Sequence, residues 1–153
     1  MKNVCGLDVH KDSIFMCIIK KNGDKVEEKF GVLTPELDRL RDLLVYHSVG
    51  DIAMESTSIY WVPIWRVLYS DFNIKIVNPY FIKQLPGRKT DVKDAQWIAT
   101  VLQKELIKGS FIPDPIIQEL RLYDRRIFYL NRNLQHAEQN IDLILQRCNS
   151  RLS

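Results

Sequence analysis

The segment Ile14-Phe15-Met16-Cys17-Ile18-Ile19 most limits what this chain can fold into, because it is apolar at both odd and even positions. Successive side chains of a strand point to opposite faces, so such a run needs cover on both sides. It predicts a central strand over Ser13 to Lys21, preceded by another from Val4 to Val9. Asn22-Gly23-Asp24 is a turn signal, and Lys25 to Val32 is predicted to fold back behind it as a hairpin. Three consecutive antiparallel strands therefore open the domain.

Helix and strand signals then alternate. Thr34-Pro35 predicts an N-cap followed by proline at the first helical position, and Leu37, Leu40, Leu43 and Leu44 share one face behind it. Gly50 is predicted to end that unit. Asp51 to Met54 is a short strand running into Glu55, Trp61 to Tyr69 a helix, and Ile74 to Val77 a fifth strand closed by Asn78-Pro79. Pro86-Gly87 breaks the chain before a helix predicted from about Asp91 to Leu106. This order is that of an α/β, ribonuclease H-like fold: a mixed five-stranded sheet flanked by helices. Right-handed crossovers set the fourth and fifth strands parallel to the first.

From Ile116 onward the pattern changes. Leu120, Tyr123, Ile127, Leu130, Leu134, Ala137, Ile141, Ile144 and Cys148 follow one another at alternating spacings of three and four. That is a heptad seam on a long coiled-coil-type helix, which cannot bury its stripe alone. The expected division is a catalytic-type domain over 1–112 and, over 113–153, the start of a helix leading to a C-terminal domain absent here. The helix must pack on its own domain, on another copy or on a part of the protein absent here, and a homo-oligomer through this helix is the expected partner.

With 153 residues, 46% hydrophobic and 27% charged, the chain has the composition of a globular domain. No apolar run approaches the ~18 to 20 residues that a membrane span needs, and the first residues resemble no leader peptide, so a cytoplasmic protein is expected. Cys5, Cys17 and Cys148 lack paired metal spacing and read as structural thiols. A net charge of +3 permits a nucleic-acid partner without demanding one.

The chemistry lies in carboxylates. In the proposed fold Asp8 ends the first strand and Glu55 the fourth, side by side at the carboxyl edge where α/β sheets gather their ligands. Asp91 and Asp94, three apart at a helix start, are expected to share one helix face. Such a set suits two-metal phosphodiester cleavage, in which two Mg²⁺ ions about 4 Å apart activate the attacking oxygen and stabilise the leaving one. Mg²⁺ prefers hard oxygen donors and keeps several waters, so a few carboxylates suffice, and Mn²⁺ can substitute. Taken alone, Asp91 also fits a plain N-cap and Asp94 a first-turn carboxylate complementing the helix dipole. An aspartate in Gly6-Leu7-Asp8-Val9, beside a buried strand, is harder to explain structurally.

Basic residues surround these positions. Lys75, Lys83, Arg88, Lys89 and Lys93 are expected to crowd the approach to Asp91, with Tyr80 and Phe81 among them, a pattern suited to phosphates and bases. Lys11 lies just beyond Asp8 and completes the candidate nucleic-acid set of Lys11, Lys83, Arg88, Lys89 and Lys93. His10 reads as a loop or hydrogen-bonding histidine. Trp61, Trp65 and Trp97 read as packing, and the arginines from Arg121 to Arg151 as solubilising charges on the long helix.

Gly6-Leu7-Asp8-Val9-His10-Lys11-Asp12, Glu55-Ser56-Thr57-Ser58-Ile59-Tyr60-Trp61, Val77-Asn78-Pro79 and Lys89-Thr90-Asp91-Val92-Lys93-Asp94-Ala95 together resemble the DEDD transposases. This is the bacterial insertion-sequence family numbered one hundred and ten, whose N-terminal domain is similar to the RuvC Holliday-junction resolvase. The resemblance implies that Asp8, Glu55, Asp91 and Asp94 form the catalytic, metal-binding set. It also implies DNA as substrate, guidance by a structured RNA, and a second domain bearing a nucleophilic serine. Where the family usually carries glycine, this chain has Ser58. Without the second domain the chain is expected to cleave DNA poorly. A stand-alone RuvC-like endonuclease is the alternative. A phosphotransferase of the actin and sugar-kinase superfold fits less well, because Val9-His10-Lys11 follows Asp8 and no second glycine-rich phosphate loop is present. A non-catalytic dimerisation module would leave the carboxylates unexplained.

Overall fold

Strand alternation decides which side chains meet which helix. The computed structural model of the chain describes residues 2–55, 58–88 and 92–150. Two compact units divide it, Met1–Phe111 and Ile112–Ser153.

The first unit holds a five-stranded sheet of order β3-β2-β1-β4-β5. Its strands are β1 (Asn3–Val9), β2 (Ile14–Ile19), β3 (Lys25–Phe30), β4 (Val49–Glu55) and β5 (Asn73–Val77). β1, β2 and β3 pair antiparallel, while β4 pairs parallel with both β1 and β5. The mixed sheet predicted from the sequence is the one observed. Gly23 closes the β2–β3 hairpin at φ 89°, a conformation glycine adopts without strain. Asn22 holds that turn by accepting from the Asp24 amide at 3.0 Å.

Among the described residues four helices accompany the sheet: α1 (Thr34–Tyr46), α2 (Trp61–Leu68), α3 (Pro79–Gln84) and α4 (Asp94–Gln103). One parity of the strands, Val4, Cys17, Ile19, Ala53 and Val77, forms a core with α4 through Ala95, Ile98, Ala99 and Leu102. The other parity, including Leu7, Ile14, Met16, Ile18, Ile52 and Met54, is buried on the opposite face. The buried leucines of α1, Leu37, Leu40 and Leu44, serve that second layer. β2 is thus covered on both sides, as its apolar run requires.

Several boundaries differ from the sequence reading. Thr34 is the first residue of α1 rather than its cap; Leu33 takes the cap position without a side-chain bond. Ser48, at φ 51°, makes the turn after α1, and Gly50 lies inside β4 instead of ending the unit. Asn78-Pro79 does more than close β5: Asn78 accepts from the Tyr80 amide at 2.9 Å and starts the unforeseen α3. Trp97 Nε1 donates to the Ile82 carbonyl at 3.1 Å, which ties α3 to α4. α4 begins at Asp94, because Lys93 has an extended backbone with ψ 149°. The helix expected from about Asp91 therefore begins three residues later. Asp91 itself lies outside the described residues.

In the second unit a single helix, α5 (Pro115–Arg147), runs for 33 residues. Asp114 caps it, accepting from the Ile116 amide at 3.2 Å. Its seam is bare within this unit, since Leu120, Ile127, Leu134 and Ile141 are 52% to 59% exposed. No helix among the described residues is long and apolar enough to cross a membrane.

Candidate functional site

The site starts from a missing side chain. Gly6 sits where β1 passes beneath α4, and a Cβ built there would lie 2.2 Å from the Ala95 carbonyl oxygen and 2.5 Å from the Ala99 amide nitrogen. Gly6 on the strand and Ala95 and Ala99 one helical turn apart let the two backbones meet almost directly. Two residues along β1, on the same face, comes Asp8. Asp94 immediately precedes Ala95. The close crossing thus brings the start of α4 to the end of β1.

β4 supplies the next carboxylate. Leu7 pairs with Met54 in the parallel register, so Asp8 and Glu55 are the next residues along neighbouring strands. Side chains side by side in a parallel pair point to the same face. Both carboxylates are 8% exposed, the two buried charged residues of the described chain. Asp8 Oδ2 is 3.0 Å from His10 Nε2, and His10 rests edge-on against Phe15 with ring centroids 5.7 Å apart.

Electrostatics links these groups. Burial first, and the Asp8 charge second, hold the Glu55 carboxyl above its usual range. Asp94 adds to this rise, while Lys83 and His10 oppose it. Asp8, Glu55 and Asp94 therefore share one electrostatic neighbourhood, bordered by Lys83 from α3. A cleft of about 510 Å³ opens beside it, lined by Asp8, Phe15, Glu27, Lys29, Lys93 and Asp94 among others.

The predicted basic residues separate into distinct places. Lys83 is exposed on α3 and Lys11 in the β1–β2 turn, and neither forms an ion pair among the described residues. Lys93 instead reaches Glu27 at 3.0 Å. Arg88 pairs with Asp94 and also donates to the Val92 carbonyl at 3.2 Å. Lys89 lies outside the described residues. Lys75 is not among the residues lining the cleft of Asp8 and Asp94. It lines a separate cleft with Lys2, Val4, Asp51, Leu102 and Glu105, where β1 and β4 begin and α4 ends. Lys75 pairs with Ala53, two residues before the Glu55–Val77 pair along the strands. Tyr80 and Phe81 are 64% and 65% exposed on α3, so they are surface aromatics rather than core. Trp65 and Trp97 are buried, as packing residues should be.

Phe15 and Glu27 were not singled out from the sequence, although both line the cleft with Asp8. Their signal was pairing: Asp8 stands opposite Phe15, and Cys17, on the same face, stands opposite Glu27. Ser58 takes φ 52°, a left-handed conformation that costs a serine more than a glycine. Among the described residues no three His, Cys, Asp or Glu side chains converge closely enough to hold an ion.

Comparison with known proteins agrees with this architecture. The chain is similar in structure to Thermus thermophilus RuvC in complex with a Holliday junction substrate, with a TM-score of 0.51 and 11% identity over 72% of this chain and 100% of that one. A second Thermus thermophilus RuvC structure gives a TM-score of 0.49 and 12% identity over 71% and 99% of the two chains. Fowlpox virus resolvase with its Holliday junction DNA gives 0.44 and 11% over 69% and 99%. No curated protein matches the chain in sequence. The sequence model of the IS110-type DEDD transposases, described as "Transposase", matches residues 5–150. With that match over nearly its whole length and a RuvC-like sheet beneath its carboxylates, the chain belongs to the DEDD transposase family.

Proposed function

We propose that the carboxylates Asp8, Glu55, Asp91 and Asp94 hold two divalent ions, Mg²⁺ or Mn²⁺, for DNA strand cleavage and transfer. The observation that carries this reading is the pair Asp8 and Glu55, buried side by side with Asp94 acting on the same charge. Burying two carboxylates together is costly without a cation. Their oxygens are the hard donors that Mg²⁺ prefers, so the residues present fit such an ion. Bound there, the metal supplies Lewis acidity at a phosphodiester. Asp8 and Glu55 form the fixed base of the site, on strands that cannot shift without breaking the sheet. Asp94 approaches from a helix start, where the dipole favours its ionised form. Because protonation of Glu55 competes with a cation, and its carboxyl titrates above the usual range, metal affinity falls as pH drops through that raised value.

DNA reaches the site along a basic rim made of Lys11, Lys83, Arg88, Lys89 and Lys93, which contacts phosphates without reading sequence. Family membership supports guidance by a structured RNA, a further domain that completes the reaction, and a cytoplasmic place of action. The domain division proposed is 1–112 for cleavage and 113–153 for the helix that leads onward. The exposed seam of α5 supports a second copy as its partner. Sedimentation equilibrium should then show a dimer that Leu134→Asp dissociates; a monomeric parent chain would remove this part of the reading.

The metal site is tested by titrating the chain with Mn²⁺ in a calorimeter. The Asp91→Asn, Asp94→Asn double variant should lose binding, with affinity down by about 100-fold or more, beyond the ~10–100-fold typical of groups that only support a ligand. Unchanged affinity in the double variant would sink the assignment.

A further inference from the structure

Among the described residues Arg88 is the one strongly basic side chain bonded directly to a carboxylate of the site. Its guanidinium donates to Asp94 Oδ1 and, at 3.2 Å, to the carbonyl of Val92. Those two anchors lie four and six residues along the chain, so a single side chain bonds both a residue just before α4 and the first residue of α4. Asp94 is not used as a helix cap: Lys93 holds the cap position without a side-chain bond. The Asp94 carboxylate is therefore committed to Arg88 alone among the described residues.

We propose that Arg88 is a counter-ion latch, an internal cation that occupies Asp94 until a divalent metal displaces it. The inference rests on reading the carboxylates as metal ligands. Three observations lead to it. Asp8 and Glu55 are buried on rigid strands, whereas Asp94 is 43% exposed at its side chain and sits at a helix start, so Asp94 is the ligand able to change partners. Arginine carries its charge at every working pH and presents a fork suited to a carboxylate, which makes it an effective stand-in for a cation. Its own side chain is 30% exposed, and a partly exposed pair of this kind is weak enough to exchange. A divalent ion would carry twice the charge of the guanidinium and would therefore compete with it for Asp94.

The consequence is a tax on metal affinity. A ligand that binds only the unlatched state has its affinity reduced by the fraction of molecules unlatched. Removing the latch should therefore tighten metal binding, the opposite of what loss of a supporting residue does. Lysine keeps the charge but lacks the fork that spans Asp94 and Val92, so it should latch less well.

The experiment is calorimetric titration of the 153-residue chain with Mn²⁺ for the parent, Arg88→Ala, Arg88→Lys, and both changes in an Asp94→Asn background. Circular dichroism melts establish that each variant is folded. Arg88→Ala should bind Mn²⁺ roughly two- to fivefold more tightly than the parent, with Arg88→Lys between them. In the Asp94→Asn background the same changes should have no effect. Unchanged or weaker binding in folded Arg88→Ala or Arg88→Lys overturns the latch while leaving the metal site standing. Equal tightening with and without Asp94 also overturns it, because the effect is then a general one of net charge. Failure of every chain to bind Mn²⁺ overturns both the latch and the carboxylate reading beneath it.

Discussion

Gly6→Val is expected to destabilise the chain severely and lower its melting temperature by many degrees, at a cost on the order of 3–5 kcal/mol. The first carbon of any side chain at this position would meet the Ala95 carbonyl oxygen at 2.2 Å and the Ala99 amide nitrogen at 2.5 Å. Both are backbone atoms, so no rotamer change relieves the clash. α4 would have to lift away from β1, and with it go the contacts of Ile98, Ala99 and Leu102 in the core. A domain of this size has a total stability of about 5–15 kcal/mol, so the loss takes a large share of it. Thermal melting followed by circular dichroism reads the result. A Gly6→Val chain melting within two degrees or so of the parent would refute the packing account. Gly6→Ala, carrying only the first carbon, should fall between the two and weaken Mn²⁺ binding as well, because α4 carries Asp94.

Asp8→Asn makes the complementary demand on the site. It should weaken Mn²⁺ binding by about 100-fold or more and lower any Mg²⁺-dependent nicking by about 10³-fold, equivalent to the several kcal/mol that a metal contributes to such a step. Yet it should leave the fold intact. The substitution preserves shape in a buried position, and it removes the charge that, after burial, most raises the Glu55 carboxyl. Loss of metal binding together with an unchanged or higher melting temperature is the expected pair of results. Nicking within tenfold of the parent would take Asp8 out of the machinery. A collapse in stability would instead make Asp8 a structural residue, held for its contact with His10.

The two variants also separate causes that a sequence alone runs together. Gly6-Leu7-Asp8 reads as a single short motif, but its glycine and its aspartate do different things. Gly6 admits a helix to the sheet, and Asp8 takes part in the cluster that the helix completes. One residue between them sends Leu7 to the opposite face, where it is fully buried.

Local pattern determined much of this protein. The two-sided apolar run of β2, the Asn22-Gly23-Asp24 turn and the alternation of later elements were sufficient for the mixed sheet, because strand period and turn chemistry act over a few residues. The seam of α5 was legible for the same reason, as was the placing of Asp8 and Glu55 at neighbouring strand ends. Tertiary structure decided what depends on distant partners. α4 starts at Asp94 and not at Asp91 because the chain enters it through an extended Lys93, itself paired with Glu27 on β3. α3 forms where Asn78 caps it and Trp97, fifteen residues beyond Ile82, bonds to its backbone. Lys75 lines a different cleft because strand pairing, invisible in a list of basic residues, sets it beside Ala53 in the middle of β5. Arg88, one basic residue among several in the sequence, is the one that bonds Asp94 among the described residues. Charge and periodicity are written in the chain, but which charges meet is settled only when strands pair and a helix comes to rest on Gly6.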